Sequence, residues 1–387
     1  MSDNPLTSPH DQGATFVELF FDLVFVFAIS RLTHHFAHHI AWSDVVPALV
    51  VGWLLWWAWT QFTWALNAAN TNRHVVRAVT LVATGLAFLM AASVDRAFGD
   101  GPLWFAAPYV LVRIIGLGLY DRVAGHEPEI RRGVRIFALT SVLGLSAVIV
   151  GAFLDAPWRY ALWAVAMASD IFAATLASRH NEWHLRIEHF AERHGLILII
   201  ALGEALIVAG AAVAEHEATS EFIGTGVLAA ATTCLLWWTY FGWAKDAIEH
   251  GAMHAPEDEQ VRIARDAYTF WHFPLVSGVM AFAAGLLELM HYTHGESPRA
   301  ASYAMAAGLV MFVGSTAAAL RRSTRVLTVP RLVILGATVL GVIAAAGRPA
   351  LVVLSIASLG LATIIIVEHV RPPSCKLAAA RERQHTS

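Results

Sequence analysis

The chain is poor in charge: of 387 residues only 14% are Asp, Glu, Lys or Arg, against 57% hydrophobic. Soluble domains carry about 25% charged residues, and a surface in water cannot be covered with so few. There is no basic block and the formal net charge is −3, which excludes a nucleic-acid binder and a disordered chain. Cysteine is almost missing. Cys234 sits in an apolar run and Cys375 in the tail, leaving neither a disulfide framework nor a thiolate metal site. The first apolar run is preceded by Asp3 and Asp11, with no Lys or Arg before Arg31, so it does not read as a cleaved signal peptide. Gly-rich phosphate loops, Ser-x-x-Lys, Gly-x-Ser-x-Gly and His-Glu-x-x-His are all lacking, and nothing argues for hydrolytic chemistry.

Long hydrophobic runs are what remains. Runs of about 20 apolar residues cross the ~30 Å hydrocarbon core of a bilayer. Twelve are expected: 15–36, 44–66, 75–96, 103–121, 134–154, 157–178, 194–214, 221–244, 264–288, 299–320, 329–346 and 348–369. The last two are parted only by Gly347, Arg348 and Pro349. The implied fold class is an all-α polytopic membrane helix bundle. With the N-terminus in the cytoplasm, 20 of the 26 basic residues fall on the cytoplasmic side, so both termini are expected inside.

The two halves share an ordered pattern. Phe21-Asp22-Leu23-Val24-Phe25-Val26 resembles Gly203-Glu204-Ala205-Leu206-Ile207-Val208, and Leu54-Leu55-Trp56-Trp57-Ala58-Trp59 resembles Leu235-Leu236-Trp237-Trp238-Thr239-Tyr240. The pattern predicts two parallel six-helix repeats, 15–178 and 194–369, related by an axis along the membrane normal. They are flanked by tails 1–14 and 370–387. Between them 179–193 carries Trp183, Ile187 and Phe190 at helical spacing among charged residues, which reads as an amphipathic helix on the cytoplasmic surface.

Ionisable residues inside the membrane are costly and mark functional candidates. They are Glu18 and Asp22 in the first span, Arg113 in the fourth, Asp170 in the sixth, Glu204 in the seventh and His272 in the ninth. Asp22 and Glu204 are expected at equivalent depths in the two repeats, as a charge-binding pair. Four acids against one permanent cation favour a cation, or protonation of some acids. The plainer alternative is a buried ion pair, Arg113 with Asp170 or Asp22, that only locks helices. His272 is a candidate proton-responsive group. On the outer side, His34, His35, His38 and His39 end the first span, and His291 and His294 end the ninth. Histidines four apart on a helix can share a metal, but no carboxylate or cysteine completes a familiar signature. The tryptophans of the second span read as packing and interface anchors. The sequence names no cofactor.

Val17-Glu18-Leu19-Phe20-Phe21-Asp22-Leu23-Val24-Phe25-Val26-Phe27 resembles the opening signature of the bacterial low temperature requirement A (LtrA) family. So do Tyr109-Val110-Leu111-Val112-Arg113, His189-Phe190-Ala191-Glu192-Arg193-His194-Gly195-Leu196 running into Ile200-Ala201-Leu202-Gly203-Glu204, and Asp266-Ala267-Tyr268-Thr269-Phe270-Trp271-His272. The resemblance covers roughly 14–370 and implies a polytopic bacterial membrane protein with no settled molecular activity. It marks Phe21, Glu192, Arg193 and Gly203 as motif residues beside the intramembrane set. Phe20-Phe21-Asp22 also resembles the end of the Arg-x-x-x-Phe-Ser-Asp motif of potassium channels built from six-helix repeats, with Phe16 at the arginine position. The expected function is transport of a small solute, cation or proton across the bacterial inner membrane, the lipid bilayer being the main partner and a homo-oligomer an option. The alternatives are a haem- or metal-dependent membrane oxidoreductase and a scaffold or sensor without flux.

Overall fold

The computed structural model describes residues 6–7, 13–38, 42–125, 128–178, 185–215, 219–292, 295–374 and 376. Their regular structure is helical. In chain order the helices are α1 (Phe16–His38), α2 (Trp42–Ala68), α3 (His74–Ala92), α4 (Leu103–Ala124), α5 (Pro128–Gly151), α6 (Trp158–Ala177) and α7 (Ile187–Glu215). There follow α8 (Ser220–Phe241), α9 (Ala244–Met253), α10 (Glu257–Ala264), α11 (His272–His291), α12 (Arg299–Thr324), α13 (Val329–Ala344) and α14 (Ala350–Val370). A π turn, Arg265–Phe270, joins α10 to α11.

Among the described residues ten helical stretches are long and apolar enough to cross a membrane, with α8–α9 forming one (Phe222–Met253) and α10–α11 another (Glu257–His291). The two expected spans outside this set are helices of a different character. α1 is made more polar by Glu18, Asp22, Arg31 and the histidines of its last turns. α13 has 16 residues, about 24 Å at ~1.5 Å per residue, short of a ~30 Å core.

Sequence punctuation sets the ends. Pro256, Pro298 and Pro349 stand immediately before α10, α12 and α14, where a missing N–H costs nothing. Gly347, at φ +90°, lets the chain reverse between α13 and α14 within a few residues, and Ser297 Oγ donates to the Arg348 carbonyl of that turn at 2.7 Å. Thr80, Thr84, Thr232, Thr316 and Thr338 each donate to the carbonyl four residues earlier, satisfying the hydroxyl without leaving an apolar helix.

The described residues form two compact units. One takes the chain up to Leu32, Val45–Ile197 and Pro256–Arg265; the other takes Thr33–Asp44, Leu198–Ala255 and Asp266 onward. In the first unit α3 packs on α4, α4 on α5 and α5 on α6. Trp53, Trp56, Trp57 and Trp59 of α2 are all buried, so these tryptophans are core rather than interface anchors. In the second unit α11 lies along α12, α12 along α13, α13 along α14 and α14 along α8. The α11–α12 seam is built on glycine: a Cβ on Gly278 would sit 2.8 Å from the Gly308 carbonyl oxygen, and one on Gly308 2.7 Å from that of Gly278. Outward positions are apolar, with Phe16, Leu139, Phe153 and Leu340 among the most exposed side chains. In water that arrangement would be inverted; against lipid it is the stable one.

Residues 187–193 correct one expectation. They are the first turns of α7, continuous with the span, and Ile187, Phe190 and Arg193 are buried. The aromatic and apolar spacing that looks amphipathic on a surface serves burial here. Trp183 lies outside the described residues.

Candidate functional site

Two buried charge networks lie in the first unit, and they differ in balance. Arg113 of α4 meets Asp170 of α6 through two hydrogen bonds of 3.0 and 3.2 Å. Its remaining donors go to Gln61, to Tyr109 Oη at 2.6 Å and to Ser141 Oγ at 3.3 Å. Gln61 also donates to the Arg113 carbonyl at 3.0 Å, and both ionised residues are about 1% exposed. One cation faces one anion, and the guanidinium's planar fork is filled. Of the two partners foreseen for Arg113, the fold selects Asp170.

The second network joins the start of α1 to the start of α7. Thr15 and Glu18 form a capping box: Glu18 Oε2 accepts from the Thr15 N–H at 2.9 Å and from Thr15 Oγ1 at 2.8 Å. Glu18 Oε1 faces His189 Nε2 at 3.0 Å and Arg193 Nη1 at 3.7 Å. One turn on, Asp22 accepts from Arg193 and from Trp59 Nε1, the latter at 2.7 Å. Partner numbers rise together, Glu18 with His189 and Asp22 with Arg193, so the two helices run parallel here. Glu18 is fully buried.

Asn67 ties His189 to Arg186 at the start of α7. Asn67 Oδ1 accepts from the Arg186 N–H at 3.0 Å, and its Nδ2 donates to the Arg186 carbonyl at 2.8 Å. That orientation puts an amide N–H against His189 Nδ1 at 3.2 Å. The group thus brings two buried carboxylates to one close guanidinium, Arg193, with His189 beside Glu18 and the Arg186 cation within electrostatic reach of it.

The second unit holds the remaining candidates. Glu204, buried, faces His34 Nε2 at 3.5 Å, with the His34 side chain 45% exposed. From Asp22 to His34 along α1 is roughly 18 Å at ~1.5 Å per residue. α7 begins at Ile187, so Glu204 stands further from the start of its helix than Asp22 does from the start of α1. The two acids hold separate partners.

His272 is positioned by the π turn. The wider turn makes the Ala267 carbonyl available to His272 Nδ1 at 2.7 Å, and Nε2 accepts from Tyr240 Oη at 2.7 Å. Both ring nitrogens are engaged, so its place is a lock between α8 and α11. Of the motif residues, Phe21 is core, exposed Glu192 accepts from the Ala14 N–H at 3.1 Å, and Gly203 has open space beside it.

A third buried pair lay outside the sequence-derived set. Arg331 of α13 donates to both oxygens of Glu368 of α14 at 2.7 and 2.9 Å and to the Thr239 carbonyl at 2.9 Å, and Trp243 Nε1 donates to Glu368 at 2.9 Å. Both residues sit near span ends, where charge reads as headgroup-facing; only burial distinguishes them. Among the described residues no group of three His, Cys, Asp or Glu converges to hold a metal. His291 is exposed and bonded to its own helix at Leu287, and His35 is part-exposed. His39, His294 and the side chain of His38 lie outside the described residues.

Ten membrane-length helical stretches among the described residues, with ion pairs turned inward, define a multi-pass membrane protein. The profile described as "Bacterial low temperature requirement A protein (LtrA)" matches residues 13–367, and the chain belongs to this family. A similar protein from Rhizobium meliloti (strain 1021), itself uncharacterized, is 28% identical over 327 residues, 81% of this chain and 78% of that one. No solved structure matches.

Proposed function

We propose that this protein moves a small cation or proton, alone or with a solute, across the bacterial cytoplasmic membrane. The observation that carries this reading is that two buried carboxylates one helical turn apart, Glu18 and Asp22, converge on the Arg193 guanidinium beside the imidazole of His189. Two buried acids so close to one another favour the uptake of a proton or a cation. In this reading the exchangeable charge is a proton or a cation held at the Glu18 and Asp22 carboxylates. Glu204 beside the part-exposed His34 is a second acid on the same helix pair. By contrast Arg113–Asp170 and Arg331–Glu368 are matched one to one, which suits a fixed structural role.

In this reading the chain is a duplicated twelve-helix bundle with parallel repeats and both termini cytoplasmic. The test uses purified protein in liposomes, with proton, sodium and potassium gradients imposed in turn and internal pH or cation followed by dye. Wild type is expected to dissipate at least one gradient, and Glu18→Gln and Asp22→Asn to abolish that flux while remaining folded. Wild-type flux in both variants, or no flux under any gradient, overturns it.

A further inference from the structure

The second unit contains a cavity of about 220 Å³ where α8 and α14 end together. The two helices run parallel, with Thr232 against Ser358 and Trp243 against Glu368. Trp238 and Ile366, both exposed, flank its mouth; exposed apolar side chains on membrane-length helices face hydrocarbon. Its floor is Trp243 and Glu368, both buried. His369 and Lys376 form its polar end, with exposed Arg371 between them in sequence.

The charges decide what the cavity suits. Glu368 is the carboxylate in the lining, and Arg331 engages both its oxygens, so it presents no free negative charge. The helix ends bring negative partial charge, but Arg331 caps α8 at the Thr239 carbonyl and Lys376 Nζ donates to the Glu368 carbonyl at 3.0 Å. An ammonium has three donors, and this bond uses one. What is left over is positive: Lys376 and Arg371, with His369 beside them.

We infer that this cavity binds an anionic phospholipid, its acyl chain entering past Trp238 and Ile366 and its phosphate held by Lys376, Arg371 and His369. The pattern is that of basic groups placed just beyond a span, at headgroup level, over an apolar slot. The inference is independent of whether the protein transports anything, since it concerns neither Glu18 nor Asp22.

The experiment titrates the full-length protein in neutral detergent with phosphatidylglycerol, phosphatidylcholine of the same acyl chains, or inorganic phosphate, reading bound lipid by native mass spectrometry and protection by thermal unfolding. Phosphatidylglycerol is expected to bind more tightly than phosphatidylcholine. Lys376→Ala and Arg371→Ala should each weaken it about five-fold, the worth of one basic residue near the headgroup plane, and leave phosphatidylcholine unchanged. Ile366→Trp, which blocks the mouth, should weaken both lipids. Arg371 is exposed, so its variant keeps the test informative if Lys376→Ala does not fold. Equal binding of the two lipids, an undiminished preference in Arg371→Ala, or equal protection by inorganic phosphate overturns the inference.

Discussion

Removing one member of the Arg113–Asp170 pair should unfold the first unit more readily than removing both. Asp170→Asn leaves a guanidinium that is about 1% exposed with neutral partners only: Gln61, Tyr109, Ser141 and the new amide. Stranding a buried charge in this way costs about 3–5 kcal/mol, more than a hundred-fold in the folded-to-unfolded ratio at ~1.4 kcal/mol per decade. Arg113→Met strands Asp170 by the same logic. The double variant Arg113→Met/Asp170→Leu removes both charges at similar volume and should return to within about 1 kcal/mol of wild type, since apolar replacement of a whole buried pair is often neutral or stabilising. A double-mutant cycle on unfolding in detergent measures this coupling directly. The double variant should also retain liposome flux, unlike Glu18→Gln. Additive losses in the double variant, or single variants within 1 kcal/mol of wild type, would refute the account of this pair as a matched lock.

Three further outcomes are expected. Gly308→Ala should destabilise by 1–3 kcal/mol or more, in the range for overpacking, because the new Cβ lands 2.6 Å from the Phe282 nitrogen. Gly336→Ala, with nothing within 4 Å, should be neutral or gain up to ~1 kcal/mol of helix propensity, and melting curves of the two separate packing from propensity. Tyr240→Phe should cost about 1–3 kcal/mol by leaving His272 Nε2 without its donor and leave flux intact; lost flux at unchanged stability would make His272 part of the transport machinery. Asn67→Asp removes the amide that donates to the Arg186 carbonyl and faces His189 Nδ1, and should destabilise by about 1–3 kcal/mol. Melting in detergent checks this, and unchanged stability would disprove that the amide ties Arg186 to His189.

Much of the fold is legible without coordinates because hydrocarbon imposes a simple rule: backbone groups must be satisfied within the segment, so long apolar runs become helices. Even Gly347-Arg348-Pro349 suffices to read the break before α14. The start of α7 is less legible, because Ile187, Phe190 and Arg193 combine apolar and charged residues as a surface helix does. Only packing shows that they are buried. Arg331 and Glu368 were hidden for a related reason: charge near a span end is as compatible with headgroups as with a buried pair.

The low charge content settles membrane residence and selects the few ionisable residues worth attention, since each carries a desolvation cost that composition alone exposes. Charge matching is a different matter. Sequence counts four acids against Arg113 within the spans, yet the fold supplies Arg193 and His189 to α1 and pairs Arg113 with Asp170. Coulomb energy depends on separation and local polarity, and neither is written along the chain. Which charges face one another, and that Glu18 and Asp22 both meet Arg193, was decided by tertiary packing.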